Sequence, residues 1–147
     1  MVLIYIDQAE QQIKKSSLEA ISYGAALAKQ LGVSAEGILL GSVTDDLAGL
    51  GKYGLHKLHQ VADSNLNIFD AKVFTQVITE ATKATGATVL VFAHNLNGKA
   101  IAPAVAVKLN AGIVTGANSL PNTSNGFVVT KTVFSGKAFA QINIDTP

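Results

Sequence analysis

Asp7, directly after the apolar run Val2 to Ile6, and Asn95, Asn97 and Gly98, directly after the run Thr88 to Ala93, come nearest to a binding site in this 147-residue chain. If both runs are parallel strands, all four residues stand at strand carboxyl ends, where open α/β sheets take their ligands. Asp7 could there contact a nucleotide or serve as a solvated or capping acid. Asn95, Asn97 and Gly98 open a helix, whose first amide groups and dipole receive an anion. They are equally good turn and cap residues. Neither Gly-x-x-x-x-Gly-Lys-Ser nor Gly-x-Gly-x-x-Gly is present, so a phosphate-cradling loop lacks its glycines.

Other reactive side chains are scattered. His94 ends the run Thr88 to Ala93 beside Asn95, but proton transfer needs a placed carboxylate or nucleophile, and none is evident in the sequence. His56 and His59 are three apart, which puts them on opposite faces of a strand and disfavours a shared metal. Thr44, Asp45 and Asp46 suit a helix cap better than a hard cation. No metal site is expected. Without cysteine, thiolate ligands and thiol nucleophiles drop out. No nucleophile elbow or triad motif supports a hydrolase or transferase. Eleven basic against ten acidic residues, formal net charge +1, make no basic field for nucleic acid.

These residues need a framework, and the 48% apolar content can bury one domain core over residues 1–147. Val2 to Ile6 is apolar throughout, as in a strand covered on both faces. Ser16 and Glu19 form a capping-box pattern, and Leu18, Ile21, Ala25 and Ala28 mark a helical stripe that Gly32 ends. Strands follow at Val33 to Gly41 and, more weakly, Lys57 to Ala62. Phe74, Val77, Ile78 and Ala81 line the next helix, closed by Gly86 before the strand Thr88 to Ala93. Asn97 to Asn110 is a further helix with Pro103 near its first turn and Ala102, Val105, Ala106 and Leu109 on its buried side. Ile113 to Thr115 is a fifth strand. This alternation predicts an α/β, three-layer, doubly wound, mostly parallel five-stranded sheet ordered 3-2-1-4-5. Phe127 to Phe134 and Ala138 to Ile144, around Ser135-Gly136-Lys137, predict an antiparallel C-terminal β-hairpin that can extend the sheet edge. Lys14 and Lys15 read as a solvated turn before the first helix. The opening segment lacks a basic leader, and no apolar run reaches the roughly 18 residues of a membrane span, so a cytoplasmic chain without membrane insertion is expected. The end near Pro147 reads as a cut.

Four blocks, in order, resemble the first domain of electron transfer flavoprotein alpha subunits. They are Val2-Leu3-Ile4-Tyr5 with Leu18-Glu19-Ala20; Lys52-Tyr53-Gly54 through Asp63; Gly98 through Pro103 with Ala106, Lys108, Leu109 and Ala111 to Thr115; and Lys131 through Ala138. Ala104, Gly116, Lys131 and Ser135 depart from the family pattern. An arginine's five donors are lost at Ala104, which bears on any charge pair made there by relatives.

The resemblance implies an adenine-nucleotide alpha-hydrolase-like fold and a non-catalytic, structural role. In the family the alpha subunit pairs with a beta subunit, which can hold AMP, and FAD sits mainly in the alpha subunit's C-terminal domain. That domain is not among these residues, so no flavin is expected on this chain alone. The heterodimer carries electrons from dehydrogenases, such as acyl-CoA dehydrogenases in fatty acid β-oxidation, to a quinone oxidoreductase or another acceptor. Lys131, Phe134, Ser135, Gly136 and Lys137 are then the expected beta-subunit contacts. A universal-stress-type nucleotide-binding module is the alternative: that class shares the architecture and an aspartate after the first strand, but this chain lacks its glycine-and-serine phosphate signature after the fourth strand.

Overall fold

The computed structural model describes residues 2–9, 12–13, 15–41, 54–61, 66, 69–87, 89–93, 96–109, 127–133 and 138–144. Its centre is β1 (Val2–Ile6), buried at every position. β1 pairs in parallel with β4 (Ala35–Leu40) on one side and β6 (Val89–Val91) on the other, and β5 (Lys57–Val61) adds in parallel outside β4. The four strands run β5-β4-β1-β6, which are the expected third, second, first and fourth strands. The fifth, Ile113 to Thr115, lies outside the described residues.

Alternation along β1 builds two cores. Val2, Ile4 and Ile6 face α1 (Lys15–Leu31) through Ala20, Ile21, Leu27 and Ala28. Leu3 and Tyr5 join Ile38 and Leu40 of β4 in the core of α2 (Ala71–Thr85) and α3 (Leu96–Leu109), where Phe74, Ile78, Ile101 and Val105 are buried. The period of two along the strand therefore produces three layers, helix, sheet and helices. No helix among the described residues is long and apolar enough to cross a membrane.

The helix ends follow local chemistry. Asp70 caps α2, its carboxylate accepting from the Lys72 and Val73 amides at 3.0 and 3.2 Å. Gly86 ends it at φ 70°, a left-handed geometry that costs glycine little. Gly32, also at φ 70°, follows α1.

Several details depart from the sequence reading. Lys15 opens α1 rather than preceding it, so Ser16 lies inside the helix and the Ser16–Glu19 capping box does not form. Leu18 and Ala25 pack half-buried against the α1 core, and Ser17, Gly24 and Leu27 join Ile21 and Ala28 as its fully buried residues. A two-residue hairpin, β2 (Gln8–Ala9) with β3 (Gln12–Ile13), precedes α1; it is too short to leave a periodic signal. Pro103 lies well inside α3 and is exposed, so water can satisfy the carbonyl that its missing N–H leaves open. Ile101, not Ala102, is the fully buried partner of Val105, with Ala102, Ala106 and Leu109 half-buried. In α2, Val77 and Ala81 pack half-buried against the core as expected, and Thr75, Thr79 and Thr82 are buried as well. Their hydroxyls donate to the carbonyls four residues back at 2.6 to 2.8 Å, which removes the cost of burying them.

β7 (Phe127–Val133) and β8 (Ala138–Ile144) pair antiparallel, from Phe127 opposite Ile144 to Val133 opposite Ala138. Among the described residues they pair only with each other, and the strand expected between them and the parallel sheet lies outside those residues.

Candidate functional site

In the order β5-β4-β1-β6 the sequence of strands reverses between β1 and β6, and ligands of doubly wound sheets bind outside the carboxyl ends at such a point. Asp7 follows β1 directly. α3 begins five residues after β6, with Asn97 in its first turn. The fold thereby joins residues 90 apart: the Asn97 side-chain amide donates to Asp7 Oδ1 at 3.1 Å and is 3.3 Å from Oδ2.

Asp7 is almost fully buried, at 2% exposure. Ser17, in the first turn of α1, brackets its backbone. The Ser17 hydroxyl accepts from the Asp7 N–H at 2.7 Å and donates to the Asp7 carbonyl at 2.8 Å. With donor and acceptor both engaged, Ser17 is a fastener and not a free nucleophile. The Tyr5 hydroxyl makes a long bond, 3.4 Å, to Asp7 Oδ1. Burial pushes the Tyr5 phenol far up from its usual 10.0, reinforced by the neighbouring Asp7 charge and by that hydrogen bond. Tyr5 therefore stays a neutral donor.

Of the sequence candidates, the structure unites Asp7 and Asn97 and buries Gly98 beside them in the first turn of α3. Asn95, His94, Thr44, Asp45, Asp46, Phe134, Ser135, Gly136 and Lys137 lie outside the described residues. Lys131 stands in β7 opposite Ala140. Tyr5 and Ser17 were not singled out as site residues. The signal for Ser17 was a hydroxyl at the buried end of a stripe continued by Ala20, Ile21 and Gly24.

The Asp7 carboxylate is engaged by the Asn97 side chain in the first turn of α3. An anionic carboxylate repels rather than receives a pyrophosphate, so these two residues do not fit FAD's phosphates. Two glutamine amides close the neighbouring edge: Gln8 donates to the Leu40 carbonyl at 3.5 Å and Gln60 to the Gly41 carbonyl at 3.2 Å.

A second polar pair spans β4 and β5. His59 Nε2 is 2.7 Å from Glu36 Oε1, and the Ser34 hydroxyl donates to Glu36 Oε2 at 3.4 Å. The bond with His59 holds the Glu36 carboxyl below its usual 4.5; partial burial opposes this, and the His59 charge, Ser34 and the Lys57 charge add to it. His56 precedes β5 rather than sharing it, and donates its backbone N–H to the Ala35 carbonyl at 2.7 Å. Among the described residues no three His, Cys, Asp or Glu converge as metal ligands. An open groove of about 550 Å³ between α1 and residues 54–56 lies toward the amino end of β4, away from Asp7, and is lined by small residues, among them Ala25, Ala28 and Ser34, with Lys29 and His56.

Comparison with known proteins agrees with the four sequence blocks. The chain is 27% identical over 143 residues to Protein FixB of Clostridium saccharobutylicum, covering 96% of this chain and 43% of that protein. It is 25% identical over 142 residues to electron transfer flavoprotein subunit alpha of Bacillus subtilis strain 168, with the same coverage of 96% and 43%. It is 28% identical over 144 residues to lactate dehydrogenase (NAD(+),ferredoxin) subunit LctC of Acetobacterium woodii, covering 96% and 34%. The chain thus spans less than half the length of these relatives. The family model for the electron transfer flavoprotein domain matches residues 2–147, and the chain belongs to that family.

Proposed function

We propose that this chain is the first domain of an alpha-type electron transfer flavoprotein subunit, a scaffold that docks a beta-type subunit and works with a FAD-holding domain outside these 147 residues. The assembled protein takes electrons from a dehydrogenase, of the acyl-CoA or a related type, and passes them to a quinone oxidoreductase or another acceptor. It acts in the cytoplasm. The beta-type subunit, not this chain, is the place for AMP. The scaffold domain has no catalytic step of its own. Lys131, Phe134, Ser135, Gly136 and Lys137 contact the beta-type subunit. Electron-transfer names among the relatives support the overall role.

The observation that carries the scaffold reading is the buried Asp7 carboxylate, held by Asn97 at the switch point of the sheet, where its charge disfavours a cofactor phosphate. A universal-stress-type nucleotide module shares this strand order and an aspartate after the first strand, and what weighs against it is the missing glycine-and-serine phosphate signature.

The test is to titrate the purified chain with FAD and with AMP, following flavin absorbance and calorimetric heat, and then to mix it with a beta-type subunit on a sizing column. The expected result is a colourless, nucleotide-free chain that co-elutes with the beta-type subunit. Stoichiometric FAD or AMP binding by the chain alone would overturn the scaffold reading. Separate elution would overturn the docking.

A further inference from the structure

Asn97 is followed by Gly98, and an asparagine before glycine is chemically labile because no side chain hinders attack of the glycine nitrogen on the asparagine amide. In that reaction the Gly98 backbone nitrogen bonds to Asn97 Cγ. The Cγ–Nδ2 bond breaks, and ammonia leaves with the proton that the Gly98 nitrogen gives up. Water then opens the resulting succinimide, adding hydroxyl to a ring carbonyl and returning a proton to the nitrogen, which yields aspartate or isoaspartate.

The fold opposes each step. Asn97 and Gly98 lie within α3, and closing the five-membered ring requires Asn97 to leave helical backbone geometry. The leaving group, Nδ2, is also the atom held by both Asp7 oxygens, at 3.1 and 3.3 Å. Gly98 is buried. We propose that Asn97 is a deamidation site guarded by Asp7, at which loss of ammonia turns the Asp7–Asn97 clasp into two facing carboxylates. The product replaces a donor by an acceptor beside an acid that is itself almost fully buried, and like charges at that distance repel. The modification is irreversible and loosens the junction of β1 with α3.

Asn125-Gly126, the same dipeptide elsewhere in the chain, is an internal reference. The intact 147-residue protein is incubated at mildly alkaline pH, native and in urea, and deamidation at both asparagines is followed by peptide mass spectrometry. Asn97 should react more slowly in native protein than in urea. Asp7→Ala should speed Asn97 alone by roughly tenfold, the scale of one lost hydrogen bond to a charged group. Equal Asn97 rates with and without urea, an unchanged rate in Asp7→Ala, or equal acceleration at both asparagines would each overturn the proposal. If Asp7→Ala does not fold, Asn97→Asp is compared with Asn97→Ala. A lower melting midpoint for Asn97→Asp supports the repulsive product, and equal midpoints overturn it.

Discussion

Ser17 is the residue whose removal isolates the clasp from the rest of the core. Its hydroxyl holds both backbone groups of Asp7, where β1 ends and ladder bonding stops. Ser17→Ala is expected to cost about 2 kcal/mol in urea unfolding, within the usual range for buried backbone groups deprived of a partner. A loss below the error of the measurement would show that other contacts hold Asp7. Glu36 supplies a pH signature. Its carboxyl is depressed in the folded state, so the folded protein binds that proton less readily than the unfolded chain. The associated stability is present above the ordinary value of 4.5 and is lost as pH falls through the lower folded value. Wild-type and Glu36→Gln melting midpoints should therefore differ above pH 4.5 and draw together below it. His59→Ala should let the Glu36 titration rise toward 4.5 in a carboxyl NMR experiment, and an unmoved titration would remove His59 as the leading cause. Asp7 and Asn97 were legible as a crevice pair because both follow apolar strands. Their mutual bond was not, since it depends on how each side chain turns once the two strand ends lie side by side.

At the scale of the element, α1 lies on the sheet because its contacting residues are small. A Cβ on Gly24 would come within 2.5 Å of the Ile4 side chain, so Gly24→Ala must push helix and strand apart or force Ile4 from its rotamer. Such overpacking should cost about 2 kcal/mol, against about 1 kcal/mol for Gly86→Ala, where the residue has open space and only the left-handed backbone resists a side chain. Thermal unfolding of the two variants orders them, and a larger loss at Gly86 would contradict the packing argument. Helix positions were readable from periodicity and end signals, notably Asp70 and Gly86 around α2. Their buried faces were less so. Hydropathy ranks Val77 and Ala81 above threonine, yet Thr75, Thr79 and Thr82 go inside once their hydroxyls bond their own helix. The capping box at Ser16 failed for a related reason: tertiary partners at the carboxyl edge claim the next hydroxyl, and the helix starts one residue earlier.

For the whole molecule, the docking proposed above, through the C-terminal hairpin segment, would make charge at Lys131 and Lys137 matter. Reversing both to glutamate is expected to weaken binding of a beta-type subunit in titration, without changing the melting midpoint of the isolated chain. Unchanged affinity would place the interface elsewhere. The family was legible from the sequence, because four short blocks in fixed order survive at an identity of about a quarter, and the family match spans residues 2–147. The α/β class and the parallel strands were legible too. An apolar run such as Val2 to Ile6 can satisfy its burial only between two helical layers, a requirement that acts locally along the chain. The sequence by itself thus determined the elements, their alternation and the family. Only the tertiary structure decided that Asp7 turns inward to Asn97, that Ser17 fastens it, and that Glu36 meets His59. Those contacts join residues 90, 10 and 23 positions apart, and their existence rests on the register in which strands and helices meet and on where each side chain turns, which the alternation of elements does not encode.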